Sequence, residues 1–238
     1  MGNATGVQPI INNLLYALSQ EDADVLVLKK SSGSIFDKEH TLDSNEKVKQ
    51  VTITSDKIPE LVQFFSNILV ERGGKMTKVI QEENLVEKKA AERFNRVFEY
   101  MQQNTKPFFF FLEDLDDFGE IFKNDPSSMD GLCAMFSRLR GTNCYVIACM
   151  YPLDSGKISN TKMAVALKLD QVSLLVGGNY SKQRLCSLPR DDGHNMLQAT
   201  QANKGAMKYR EIYHLVQMPC GDLLTQESDD PLDANIFE

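Results

Sequence analysis

The chain has 238 residues, 42% of them hydrophobic and 25% charged, and 26 Lys and Arg against 33 Asp and Glu leave a formal net charge of −7. That length buries a sizeable core in one large domain or one domain with trimmings. The acidic balance argues against nucleic acid as the main partner, because phosphate backbones are held by clustered basic side chains.

No apolar run reaches the roughly 18 residues that a membrane-spanning helix needs, and the opening residues lack the pattern of a signal peptide. The cysteines (Cys133, Cys144, Cys149, Cys186 and Cys220) are odd in number and lack Cys-x-x-Cys spacing. They read as reduced, mostly buried thiols and not as a disulfide framework or a metal site. His40, His194 and His214 are isolated, so no metal ligand set is expected.

Gly2-Asn3-Ala4-Thr5-Gly6-Val7-Gln8-Pro9 is a small-residue loop entering a helix. In that helix Ile10, Ile11, Leu14, Leu15 and Leu18 recur at helical spacing, and Pro9 suits its first turn. Such a loop can present backbone N–H groups to an anion. A glycine turn that merely caps the helix accounts for the same residues. No strand leads into the loop, so the chain is expected to be a domain of a longer polypeptide.

Val25-Leu26-Val27-Leu28 is a short buried strand closed by the turn formers of 29–34, and Val51-Thr52-Ile53 is a second. Ile58, Leu61, Val62, Phe65, Ile68 and Leu69 mark one face of a helix expected to stop at Gly73-Gly74. A further helix over about 84–103 carries the stripe Ala90, Phe94, Val97, Phe98 and Met101 against a charged face.

Then comes Pro107-Phe108-Phe109-Phe110-Phe111-Leu112-Glu113-Asp114. A strand apolar on both faces must be covered by helices on both sides. Its two carboxylates would emerge at the carboxyl edge of the sheet, where open parallel sheets bind ligands. Two readings follow: a Walker B acid beside a Mg²⁺ nucleotide, or a core strand followed by an ordinary acidic loop.

Met129, Leu132, Cys133, Phe136 and Leu139 mark a helix ended by Gly141, and Tyr145-Val146-Ile147-Ala148-Cys149-Met150 is another buried strand. Strand and helix in alternation predict an α/β fold, a mostly parallel sheet with helices on both faces. Beyond Pro152 the pattern loosens. Residues 163–169 and 213–218 read as strands, and Val172 to Val176 is apolar before Gly177-Gly178. The chain divides into a domain over 1–223 and an acidic tail over 224–238, which holds Glu227, Asp229, Asp230, Asp233 and Glu238.

These segments, in this order, resemble the FtsK/SpoIIIE family of RecA-like motor ATPases over about 1–220. The likeness is greatest to the third, carboxy-terminal ATPase domain of the EssC/EccC coupling proteins of type VII secretion. Gly2 to Pro9 falls where that family has its phosphate loop, and Phe108 to Asp114 falls on Walker B. Arg138-Leu139-Arg140-Gly141 with Tyr145-Val146-Ile147-Ala148 is similar to the helix end and strand that follow. Leu174-Leu175-Val176-Gly177-Gly178 with Gln183, Leu185, Leu188 and Pro189 is similar to the segment before the last strand of EssC-type domains.

The departures concern chemistry. A phosphate loop needs flexible glycines, a Lys for the β- and γ-phosphates and a Ser or Thr for Mg²⁺. Here those places hold Val7, Gln8 and Pro9, with Val7 where the loop often needs positive φ. Walker B reads Glu113 then Asp114, the reverse of the usual order, and Met150 stands where a polar γ-phosphate sensor is common.

The resemblance therefore implies a degenerate ATPase domain with no catalytic residues. Its remnant nucleotide site would comprise Gly2, Asn3, Ala4, Thr5, Gly6, Val7, Gln8, Pro9, Glu113 and Asp114, with no resident cofactor. The parent protein is expected at the cytoplasmic face of the plasma membrane, anchored through other segments and assembled as a homo-oligomer. Expected partners are neighbouring ATPase domains of the same polypeptide and secreted substrates, either small WXG-type helical hairpins or their toxin relatives. The alternative is a motor domain that still binds ATP and Mg²⁺ weakly, with Lys29, Lys30, Arg138 or Arg140 replacing the lost Lys.

Overall fold

Four parallel strands set the layout. The computed structural model describes residues 7–29, 40–112, 121–149, 166, 172–178, 200–209 and 212–217. In it β1 (Asp24–Lys29), β2 (Val48–Thr52), β3 (Phe108–Leu112) and β4 (Cys144–Ala148) pair in the order β2-β1-β3-β4. Every pairing is parallel, and the register sets Val25 against Val48 and Phe109, and Phe109 against Tyr145. Parallel neighbours need crossover connections. Helix α1 (Val7–Gln20) precedes β1, α2 (Ile58–Glu82) and α3 (Ala90–Asn104) lie between β2 and β3, and α4 (Pro126–Phe136) lies between β3 and β4.

Alternation along β1 and β3 divides the core into two faces. On one, Val25, Val27 and Phe111 pack with Ile11, Leu15 and Leu18 of α1. On the other, Leu26, Leu28, Phe110 and Leu112 pack with Ile58, Leu61 and Phe65 of α2 and Leu132 and Phe136 of α4. Phe65 stacks on Phe110 at 3.9 Å between centroids and meets Phe136 edge-on at 5.4 Å. The strand that is apolar on both sides is thus covered on both sides, as its sequence requires.

The end of the chain is built differently. β5 (Val172–Gly178), β6 (Thr200–Tyr209) and β7 (Ile212–Gln217) form an antiparallel three-stranded sheet with β6 in the middle. β5 runs through Gly177 and Gly178 with a register shift at that point, the usual place for a bulge. The expected strand over 163–169 falls outside the described residues except at Ala166, which is helical and buried.

Two boundaries differ from expectation. Gly73-Gly74 does not stop α2, which continues to Glu82. Packing overrides propensity here: Met76, Val79 and Ile80 gain a second apolar cluster with Leu85, Val97, Tyr100 and Met101. A Glu71–Lys75 ion pair of 2.7 Å also bridges the glycines. At the other boundary α4 ends at Phe136, before Gly141. Gly141 instead serves the turn into β4, at φ 81°.

The aromatic sandwich should dominate stability. Phe65→Ala is expected to cost about 3–5 kcal/mol in urea unfolding, by lost transfer energy plus a cavity. Asp125 caps α4 by accepting from Ser128 N–H at 3.1 Å, and hydrogen bonding holds its carboxyl below the usual range. A depressed carboxyl stabilises the fold above its unfolded pKa and ceases to do so as pH falls through its folded one. Asp125→Ala should therefore lower Tm at pH 7, and the gap from the parent should close as pH is taken below 4.

Candidate functional site at the carboxyl edge of the sheet

Only three residues, 21–23, join α1 to β1. The helix must therefore run antiparallel to the strand. Lys47 fixes its carboxyl end at the amino edge of the sheet, donating from Nζ to Ser19 O at 2.9 Å. Fourteen helical residues rise about 21 Å and a six-residue strand spans about 20 Å. Val7 thus comes level with the carboxyl ends of the strands. There β1 ends at Lys29, whose carbonyl accepts from Ile53 N–H at 2.7 Å, and β3 ends at Leu112, whose carbonyl accepts from Cys149 N–H at 2.9 Å. A helix amino terminus and the carboxyl ends of the four parallel strands meet at one edge, the position where such sheets place ligands.

Gly2, Asn3, Ala4, Thr5, Gly6, Glu113, Asp114, Lys30 and Met150 lie outside the described residues. In sequence, Glu113 directly follows the last residue of β3. Val7, Gln8 and Pro9 form the first turn of α1 and not a loop, which removes the expected demand for positive φ at Val7. The first four N–H groups of a helix have no intrahelical partner. Pro9 therefore costs the helix no bond, but it removes one donor from the set that an anion would meet.

The basic residues proposed as substitutes for the missing Lys are sorted by this geometry. Lys29 stands at the carboxyl end of β1, in step with Val25 and Val27 and so on the face that α1 covers. It is 4% exposed. Arg138 and Arg140 precede β4 and so lie at the amino edge, about a strand length of 17 Å away. The Arg140 guanidinium sits 4.8 Å over the Phe94 ring. Neither arginine reaches the carboxyl edge of its own domain, which corrects that part of the expectation.

Sequence periodicity missed one feature of α1. Asn12 and Asn13 are buried together with Ile11, so at 11–13 the helix is enclosed beyond its apolar stripe. Two adjacent asparagines between the apolar pairs Ile10-Ile11 and Leu14-Leu15 were the available signal. Cys133 and Cys144 are buried, and burial pushes the Cys144 thiol up, away from the reactive thiolate.

The first turn of α1 offers an anion no cation, and it offers Mg²⁺ no hydroxyl. Val7, Gln8 and Pro9 do not fit a Mg²⁺ nucleotide, and no phosphoryl-transfer chemistry follows from them.

No protein-family model matches the sequence, and no curated protein matches it. Solved structures do. EssC (ATPases 2 and 3) from Geobacillus thermodenitrificans superimposes with a TM-score of 0.62 at 14% identity, over 92% of this chain and 35% of that one. Thermomonospora curvata EccC (ATPases 2 and 3), in complex with a signal sequence peptide, gives 0.54 at 12% identity, over 91% and 35%. The cytoplasmic domain of the T. curvata type VII secretion ATPase EccC gives 0.54 at 14% identity, over 91% and 23%. The chain spans about a third or less of the length of these structures. At such identities the likeness is one of fold alone: an α/β, RecA-like fold.

Rebuilding the phosphate-loop residues tests the placement. Val7→Gly, Gln8→Lys and Pro9→Ser together alter one helical turn without removing a helix bond. The triple variant is expected to fold with a Tm within a few degrees of the parent, as read by circular dichroism. A variant that fails to fold would show that this turn has been assigned to the wrong place.

Proposed function

We propose that this chain is a degenerate ATPase domain of a type VII secretion coupling protein, retained to recognise secreted substrates and not to hydrolyse ATP. One observation carries the reading. An ATPase fold brings a helix amino terminus to the carboxyl edge of its sheet, and the first turn of that helix reads Val7-Gln8-Pro9. Phosphoryl transfer depends on positioned charge, and the cation and hydroxyl that would supply it are replaced by an apolar, a neutral and a donorless residue. The likeness to an EccC structure holding a signal sequence peptide supports a substrate-binding role. A helical export signal laid in a groove is the recognition mode that fits.

Within this proposal the chain corresponds to the third ATPase domain and works beside other ATPase domains of one polypeptide. That polypeptide forms a homo-oligomer at the cytoplasmic face of the plasma membrane. The topology supports a longer chain. Connections between parallel strands are right-handed almost without exception, and α1 covers the face opposite α2 and α4. A strand leading into α1 would then occupy the position beyond β4. Among the described residues β4 has a neighbour on one side only, and its sequence, Cys-Tyr-Val-Ile-Ala, carries none of the charges or prolines that protect sheet edges.

A second reading keeps weak ATP binding, favoured by the position of Lys29 at the carboxyl edge of β1. Calorimetric titration with millimolar Mg-ATP separates the two. The expected result is no heat, with capture of a purified secreted helical-hairpin substrate by the same domain. Saturable heat that disappears in both Glu113→Ala and Lys29→Met would overturn the first reading in favour of the second.

A further inference from the structure

Helix α2 contains two adjacent glycines, Gly73 and Gly74, in the middle of its 25 residues. Glycine is the poorest helix former after proline, so a pair within one helix calls for a reason. Close packing is not it, because a Cβ added to either residue meets nothing within 4 Å. Backbone conformation is not it either, since the positive-φ glycine among the described residues is Gly141. What changes at the pair is the core that α2 joins. Before it, Ile58, Leu61 and Phe65 belong to the sheet core. After it, Val79 and Met76 belong to the separate cluster with Leu85, Val97 and Met101.

The segment beyond the glycines is held together as a unit. It runs down the second half of α2, through the turn at 83–89, and back along α3. Arg96 donates to both Glu83 carboxylate oxygens at 2.6 Å, closing the hairpin between its two helices. The base is pinned where the hairpin leaves and rejoins the sheet. Arg72, immediately before the glycines, donates from Nη2 to Lys106 O at 2.7 Å, and Asn143 Nδ2 donates to Thr105 O at 2.9 Å.

Higher up, the hairpin meets the turn into β4. The exposed Arg140 lies over Phe94 at 4.8 Å. Gly141 leaves so little room that a Cβ there would approach Phe94 to 3.2 Å and Met76 to 3.5 Å. We infer that the helical hairpin beyond Gly74 moves as one body about Gly73-Gly74, with the Arg140–Phe94 contact as its latch. In the closed state the latch covers one side of the Phe94 ring. In the open state Phe94 and Met76 lose their contact with the turn into β4, at the edge of the sheet opposite the one with the ATPase-like geometry.

The test is a distance distribution by pulsed electron paramagnetic resonance in the 238-residue chain. Spin-labelled unnatural side chains would be placed at Val86, on the hairpin tip, and at Ser127, on α4. The parent is expected to give a broad or two-peaked distribution. Gly73→Ala with Gly74→Ala should collapse it onto the closed distance, with the open fraction falling about tenfold or more, given the helix propensity regained at two positions. Arg140→Ala should move weight the other way. A single narrow distance unchanged across all three proteins overturns the proposal. So does an alanine pair that raises Tm while leaving a broad distribution as it was, because that is the signature of glycines that only weaken a static helix.

Discussion

Everything in the parallel sheet depends on the burial of one strand on both of its faces. β3 is paired with β1 on one side and β4 on the other, and its alternate residues feed two separate cores. Phe110 enters the core that α2 and α4 close, and Phe111 enters the core that α1 closes. Each fully buried side chain of this size contributes about 1.5–3 kcal/mol. The larger effect is geometric, because five consecutive apolar residues leave no solvent face and force a layered architecture. The position of α1, and with it the candidate site, is a consequence of that demand.

The site separates scaffold from chemistry. The scaffold comprises a short connection, an antiparallel helix and parallel strands ending together, and these follow from connectivity and packing. The chemistry comprises three side chains on one helical turn. Val7, Gln8 and Pro9 occupy the first turn of α1, where backbone N–H groups have no intrahelical partner, so the helix bonds do not depend on which side chains stand there.

The fold was legible where periodicity and burial agree. Phe108–Leu112 declares itself by an unbroken apolar run, and Val25, Val27 and Leu28 do so more briefly. α2 was misread because a Gly-Gly pair is a local stop signal, whereas the packing of Val79 and Met76 that overrides it comes from α3, some twenty residues later. β6 went unread because Thr200–Tyr209 mixes Gln, Asn and two lysines with small residues and shows no alternation; a central position between β5 and β7 makes it a strand. At the site, the helix was legible from Ile10 onward, but its start at Val7 was not, because the small residues before it extended the apparent loop to Pro9. Nor was the distance of Arg138 and Arg140 from the site, since only the direction of β4 reveals which edge they occupy.

The strand order also shapes how the domain comes together in time. β1 pairs with β3 through Val25 and Phe109, partners about 80 residues apart in the chain. Non-local pairing of this kind slows folding, because loop closure must precede any gain in contacts. On a ribosome adding roughly 5–20 residues per second, β1 emerges about 4–16 s before its central partner. During that interval Val25-Leu26-Val27-Leu28 has α1, β2 and then α2 to cover it, but nothing to pair with the edge that β3 takes. The nascent amino-terminal third therefore carries an unpaired strand edge until the Phe-rich strand has been made.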